Sequence, residues 1–181
     1  MIYVHLADGF EEIEAMTVVD LLRRAQLPVE TVSVTGRLNV TAAHGLEVIA
    51  DILFADADYR SCDMIVLPGG SQGAISLSVH DELVEKLYSF ANSGRWIAAI
   101  CAAPAFVLGR HGILDGKRAT CYPGLETDMP DAEYLLDNVV IDENILTSRG
   151  PSTAMDFALA IIEIFKGGDV RAQIAKDLLL A

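Results

Sequence analysis

The stretch Trp96-Ile97-Ala98-Ala99-Ile100-Cys101-Ala102-Ala103-Pro104 places a sulfur at the end of an apolar run. These residue types predict a buried strand, a tight corner and a helix that carries Pro104 in its first turn. A side chain at such a corner stands above the sheet, where nucleophiles sit in other α/β enzymes. The N–H groups opening the following helix would favour thiolate over thiol. A small buried core cysteine suits the same stretch, and these residues alone leave both readings open. The other two cysteines are Cys62, in the polar Tyr59-Arg60-Ser61 loop and read as a bystander, and Cys121. Three cysteines with no CxxC spacing speak against a disulfide framework and a zinc site, and suit a reducing compartment. No metal is expected. His5, His44, His80 and His111 read most simply as surface or packing groups.

The elements that must position these residues follow from periodicity. Ile2 to Leu6 reads as a first strand with a polar stop at Asp8-Gly9. A helix then runs to about Ala25, with Val18, Leu21, Leu22 and Ala25 on one apolar face. Glu11, Glu12 and Glu14 near its start are each accounted for by the helix dipole. Val29 to Val34 is a second strand, and Asn39 to Ile49 reads as a small hairpin. Met64 to Leu67 is wholly apolar, as a central parallel strand covered on both faces requires. The Gly69-Gly70 pair after it suits either a plain turn or a close backbone approach to another group. It is not a P-loop, since no GxxxxGK[ST] pattern is present. Asp81 to Phe90 reads as a helix, and Arg118 to Tyr122 as a short strand. Val139 to Ile141 and Ile145 to Ser148 read as a hairpin-like pair. An apolar helix ends at Phe165, and a last helix covers Asp169 to Leu179. Strands alternating with helices predict one α/β domain over residues 1–181, with a parallel sheet covered on both faces.

Charge narrows the partners. Lysine and arginine number 13 against 26 acidic residues, a formal charge of −13. That balance repels phosphate backbones and anionic lipid, so neither nucleic acid nor a membrane surface is an expected partner. No apolar run reaches membrane-spanning length, and Met1 to Ala7 lacks a basic leader.

Four segments, in this order, carry a family resemblance: Asp8-Gly9-Phe10-Glu11-Glu12-Ile13-Glu14, Val66-Leu67-Pro68-Gly69-Gly70, Ala98-Ala99-Ile100-Cys101-Ala102-Ala103-Pro104 and Leu146-Thr147-Ser148-Arg149-Gly150-Pro151. The chain resembles the DJ-1/ThiJ/PfpI superfamily over essentially its whole length, and most of all the DJ-1 and YajL-like branch. The resemblance implies a flavodoxin-like three-layer sandwich of the class I glutamine amidotransferase type. It also implies a mostly parallel central sheet, a homodimer and a cytoplasmic location. Cys101 matches the family's reactive, oxidation-sensitive cysteine, and Glu14 its buried, usually protonated carboxyl beside the sulfur. Gly70 and Ala102 match the backbone N–H groups of an oxyanion-hole-like pocket, with Gly69, Tyr122, His44 and Cys121 around it. Arg24 and Arg149 match family arginines without a catalytic role. Tyr122 stands where the branch studied in animals has a histidine, and His44 where it has an arginine near the dimer interface. Cys121, just before Tyr122, is expected near the same pocket, either as a small apolar side chain or as a partner for Cys101.

As a coupled pair, Glu14 and Cys101 suggest a thiolate receiving a hydrogen bond from a protonated carboxyl. The function so implied is cofactor-free, glyoxalase III-like or deglycase-like conversion of reactive 2-oxoaldehydes such as methylglyoxal to 2-hydroxy acids. The alternative is a redox sensor or chaperone in which peroxide oxidises Cys101 to sulfinic acid. A cysteine hydrolase or amidase fits less well. The residue after the cysteine is Ala102, whereas the peptidase-like branch supplies a thiol-activating histidine there.

Overall fold

The computed structural model describes residues 1–180. In chain order its strands are β1 (Ile2–Leu6), β2 (Val29–Ser33), β3 (Asn39–Thr41), β4 (Glu47–Ile49), β5 (Ile52–Leu53), β6 (Met64–Leu67), β7 (Trp96–Ile100), β8 (Arg118–Ala119), β9 (Glu133–Tyr134), β10 (Val139–Asp142) and β11 (Ile145–Ser148). Its α-helices are α1 (Glu12–Arg24), α2 (Ser71–Ser78), α3 (Asp81–Ser93), α4 (Ala154–Lys166) and α5 (Gly168–Asp177). Seven strands form one sheet in the order β10-β11-β7-β6-β1-β2-β5. All neighbours are parallel except the edge pair β10–β11. The expected hairpin is the antiparallel pair β3–β4, which stands apart from the main sheet.

The central strands are buried because helices cover both faces of the sheet. β6 and residues Ile97–Ile100 of β7 are buried throughout, and each large apolar side chain so removed from water contributes about 1.5–3 kcal/mol. On one side, α1 packs against α4, and α4 against α5. Helix α1 begins where Glu11 accepts from the Ile13 N–H, and it ends on Arg23 and Arg24, both in keeping with the helix dipole.

From β1 the chain builds outward to β2 and β5, then returns to the other side of β1 through β6 and β7. The order therefore reverses between β1 and β6. In open α/β sheets, ligands bind at the carboxyl ends of the strands at such a reversal. The Asp8–Glu14, Gly69-Gly70 and Cys101-Ala102 segments follow β1, β6 and β7 respectively, so all three lie at that end.

Several local expectations are corrected. Only Arg118–Ala119 of the expected Arg118–Tyr122 strand is extended in a ladder, paired in parallel with β9. Beyond it the chain turns away: the Thr120 N–H donates to Thr147 Oγ1 and the Tyr122 N–H to the Cys101 carbonyl. Helix α2, which begins directly after Gly70, has no counterpart among the expected elements, because its eight residues are mostly small and carry no strong apolar period. The helix expected after Cys101 is a six-residue π-helix, Pro104–Gly109. Its wide turns show in bonds spanning five residues, from Arg110 N–H to Ala105 O and from Ile113 N–H to Leu108 O. Cys62 lies in the loop before β6 as expected, but it is buried there, its thiol donating to the Met64 carbonyl.

Candidate functional site

Cys101 adopts φ 66°, the left-handed region that a residue with a side chain enters at a cost of about 1–3 kcal/mol. Its backbone is held on both sides, its N–H donating to Ser148 O at 2.9 Å and its carbonyl accepting from Tyr122 N–H at 2.8 Å. The strained corner is thus fixed by β11 and by the chain after β8. The sulfur is largely buried but opens onto a cavity of about 330 Å³, lined among others by Glu11, His44, Gly70, Ala102, Tyr122 and Pro151.

Glu14 is fully buried. It lies four residues before Val18 and seven before Leu21, on the apolar stripe of α1 that faces the core. That spacing was the signal in the sequence that it points inward rather than merely serving the helix dipole. Its Oε2 accepts from the Gly69 N–H at 2.7 Å, while Oε1 has no hydrogen-bond partner among the described residues. Gly69 is what allows carboxyl and sulfur to approach. A Cβ there would lie 2.6 Å from Cys101 Cβ and 2.7 Å from Glu14 Oε2. Gly70 caps α2 with φ 82°, and a Cβ on it would overlap Gly9 O and lie 2.7 Å from Glu11 N.

Burial pushes the Glu14 carboxyl up to about 7, against the opposing bonds from Gly69 N–H and Cys101. Burial and the neighbouring Glu14 raise the Cys101 thiol, and the N–H groups of Gly70 and Ala102 pull it only partly back. The π-helix supplies no long dipole, and burial and the nearby carboxyl both oppose charge on the sulfur. Burial thus disfavours charge on either group, and the two titrate as a coupled pair.

Around this centre the other candidates divide. Tyr122 is half-exposed and lines the cavity, as does the exposed His44. The His44 ring nitrogen Nδ1 lies 3.1 Å from Glu12 Oε2 and 3.8 Å from Glu11 Oε2, and these carboxylates raise its pKa. The ligand-type atoms of Glu11, Glu12 and His44 lie within 4.8 Å of one another. The imidazole bridging two carboxylates accounts for that grouping. Cys121 is buried outside the cavity lining, its thiol donating to Tyr122 O at 3.4 Å, and burial pushes it up to about 12. All three cysteines are free. His5, His80 and His111 are packing groups: His5 is fully buried against Tyr59, His80 caps α3, and His111 sits against Ser78. Arg24 pairs with Asp20 on α1, and Arg149 precedes the Gly150-Pro151 wall of the pocket.

Residues 1–164 match the DJ-1/PfpI family. The chain belongs to the DJ-1/PfpI family. It is 40% identical over 179 residues to protein DJ-1 homolog B of Arabidopsis thaliana, covering 99% of this chain and 41% of that protein. The chain thus spans less than half the length of that relative. It is 36% identical over 173 residues to the glutathione-independent glyoxalase DJR-1.2 of Caenorhabditis elegans, covering 94% of this chain and 91% of that one. Among solved structures, oxidized DJ-1 of Toxoplasma gondii superposes with a TM-score of 0.95 at 37% identity, covering 99% and 98% of the two chains. The architecture is accordingly the flavodoxin-like α/β fold of the DJ-1/PfpI family, with a mixed central sheet and flanking helices. No described helix is long and apolar enough to cross a membrane.

Proposed function

We propose that the chain converts small 2-oxoaldehydes to 2-hydroxy acids, with Cys101 as nucleophile and Glu14 as the group that moves protons. The observation that carries this reading is the contact, across Gly69, of a strained cavity-facing thiol with a buried carboxyl titrating near 7. A general base is most effective when its pKa lies near the working pH. The Glu14 carboxylate takes the thiol proton as the sulfur adds to the aldehyde carbon. The Gly70 and Ala102 N–H groups hold the new alkoxide, which regains the proton from Glu14 to give a hemithioacetal. Glu14 then moves the proton of the former aldehyde carbon to the adjacent carbon, through an enediol, while the hemithioacetal hydroxyl proton passes to the adjacent oxygen, leaving a thioester of the 2-hydroxy acid. Water cleaves that thioester, releasing the acid and restoring the thiol. The net change is addition of one water, so no oxidant or reductant is consumed. The C. elegans relative named as a glyoxalase supports the substrate class.

Oxidation of the same sulfur is the second reading, supported by the relative whose structure is of an oxidized form.

The test is lactate formation from methylglyoxal by the unmodified chain, Cys101→Ser and Glu14→Gln. Both substitutions should lower kcat/KM by about 10²-fold or more, and the unmodified rate should rise through pH 7 as Glu14 ionises. Cys101→Ser turning over at the unmodified rate would overturn the proposal.

A further inference from the structure

A second cavity, of about 400 Å³, adjoins the one above the sulfur; Tyr122 and Pro151 line both. Its other lining groups include Arg149, Asn138 and Ser152. Arg149 is unlike the other arginines. Arg95 lies over the Phe90 ring and donates to Tyr59 O, and every remaining one pairs with a carboxylate. Half-buried Arg149 has no carboxylate within ion-pair distance among the described residues. Its Nη1 donates to Leu136 O at a long 3.3 Å, the hydroxyl of Tyr134 is its other polar neighbour, and its buried Nε–H has no partner. The nearby Asp156 carboxylate is held by Asn138 Nδ2 at 3.2 Å instead. An unneutralised guanidinium facing a cavity, in a chain of net charge −13, is a cost that a bound anion removes.

We infer that this second cavity is a carboxylate-binding subsite, with Arg149 as its anchor, that continues the reactive cavity. Planar recognition of a carboxylate is the chemistry that a guanidinium lining a cavity, with no carboxylate of its own, supplies. A Cβ on Gly150, next to Arg149, would lie 3.4 Å from the Tyr122 ring and 4.0 Å from Cys101 Sγ. The segment carrying Arg149 therefore backs directly onto the sulfur. The subsite rests on the proposed reaction for its substrate class: it accepts the 2-hydroxy acid product, and aldehydes that already carry a carboxylate.

Two measurements separate this inference from the reaction itself. Lactate is titrated into Cys101→Ser protein while the Arg149 Nε–H resonance is followed by NMR, with phosphate as the control anion. The resonance should shift with lactate, and Arg149→Met in the same background should weaken binding by about ten- to hundredfold. Arg149→Lys should retain part of the affinity. Turnover of glyoxylate and of methylglyoxal is then compared in the unmodified and Arg149→Met proteins. Glyoxylate kcat/KM should fall at least about tenfold more than that of methylglyoxal. Lactate that leaves the resonance unmoved, undiminished binding in Arg149→Met, or phosphate binding as tightly as lactate would each overturn the subsite. If Arg149→Met fails to fold, the resonance shift and Arg149→Lys decide. Lactate binding through Arg149 in a protein that turns over neither aldehyde would sink the reaction and leave the subsite standing.

Discussion

Replacing Glu14 by glutamine should flatten the pH dependence of folding stability. The carboxyl titrates near 4.5 in an unfolded chain and is pushed to about 7 by burial in the folded one. Between those values the folded state holds a proton that the unfolded state has released, so stability falls as pH rises. The interval is roughly 2.5 pH units, and at 1.36 kcal/mol per unit it is worth about 3 kcal/mol in full. Below pH 4 the penalty is absent; most of it, about 2–3 kcal/mol, accumulates between pH 5 and 8. Glutamine keeps an oxygen for the Gly69 N–H bond and cannot ionise, so the variant should lack this slope. The assay is urea unfolding of both proteins at one-unit steps from pH 5 to 8, below the range where free thiols ionise in the unfolded chain. Midpoint temperatures should diverge by roughly 4–12 °C over the same range. A stability difference that stays constant with pH would refute the reasoning, because it would mean that Glu14 titrates alike in both states.

Two further outcomes follow from packing. Gly70→Ala should destabilise the protein by more than about 3 kcal/mol, since the new methyl overlaps Gly9 O in a left-handed backbone; thermal melting measures it, and a loss below 1 kcal/mol would contradict the close approach. Tyr59→Phe should cost about 1–3 kcal/mol, because it removes the hydroxyl 2.7 Å from the Nε2 of fully buried His5, a ring that burial keeps neutral with a pKa near 3; denaturant titration at pH 7 reads the loss.

Parts of the site were legible residue by residue. The apolar run ending at Cys101 is β7 and its corner, and Met64–Leu67 is the fully buried β6. Both readings rest on local patterns that burial on two faces imposes. Glu14 was harder, because an acidic residue in a first turn has a sufficient local explanation and only its place on the apolar stripe says otherwise. Helix α2, and the π form of the helix after Cys101, escaped for a related reason: short segments take their form from what packs on them. Cys62 lies in a loop, as its polar neighbours suggest, but the fold buries it, which local sequence does not record.

By itself the sequence determined the family, the alternation of strands and helices, and the residue at the corner, because each depends on side chains close together in the chain. Only the tertiary structure decided how the acid and the thiol of the site are enclosed. Glu14 and Cys101 meet across Gly69 from three separate strand ends, and the sign of the thiol's shift follows from that enclosure and the nearby carboxyl. The unpartnered, buried Nε–H of Arg149 is likewise a fact of assembly. No local pattern records which carboxylates a fold places out of a guanidinium's reach.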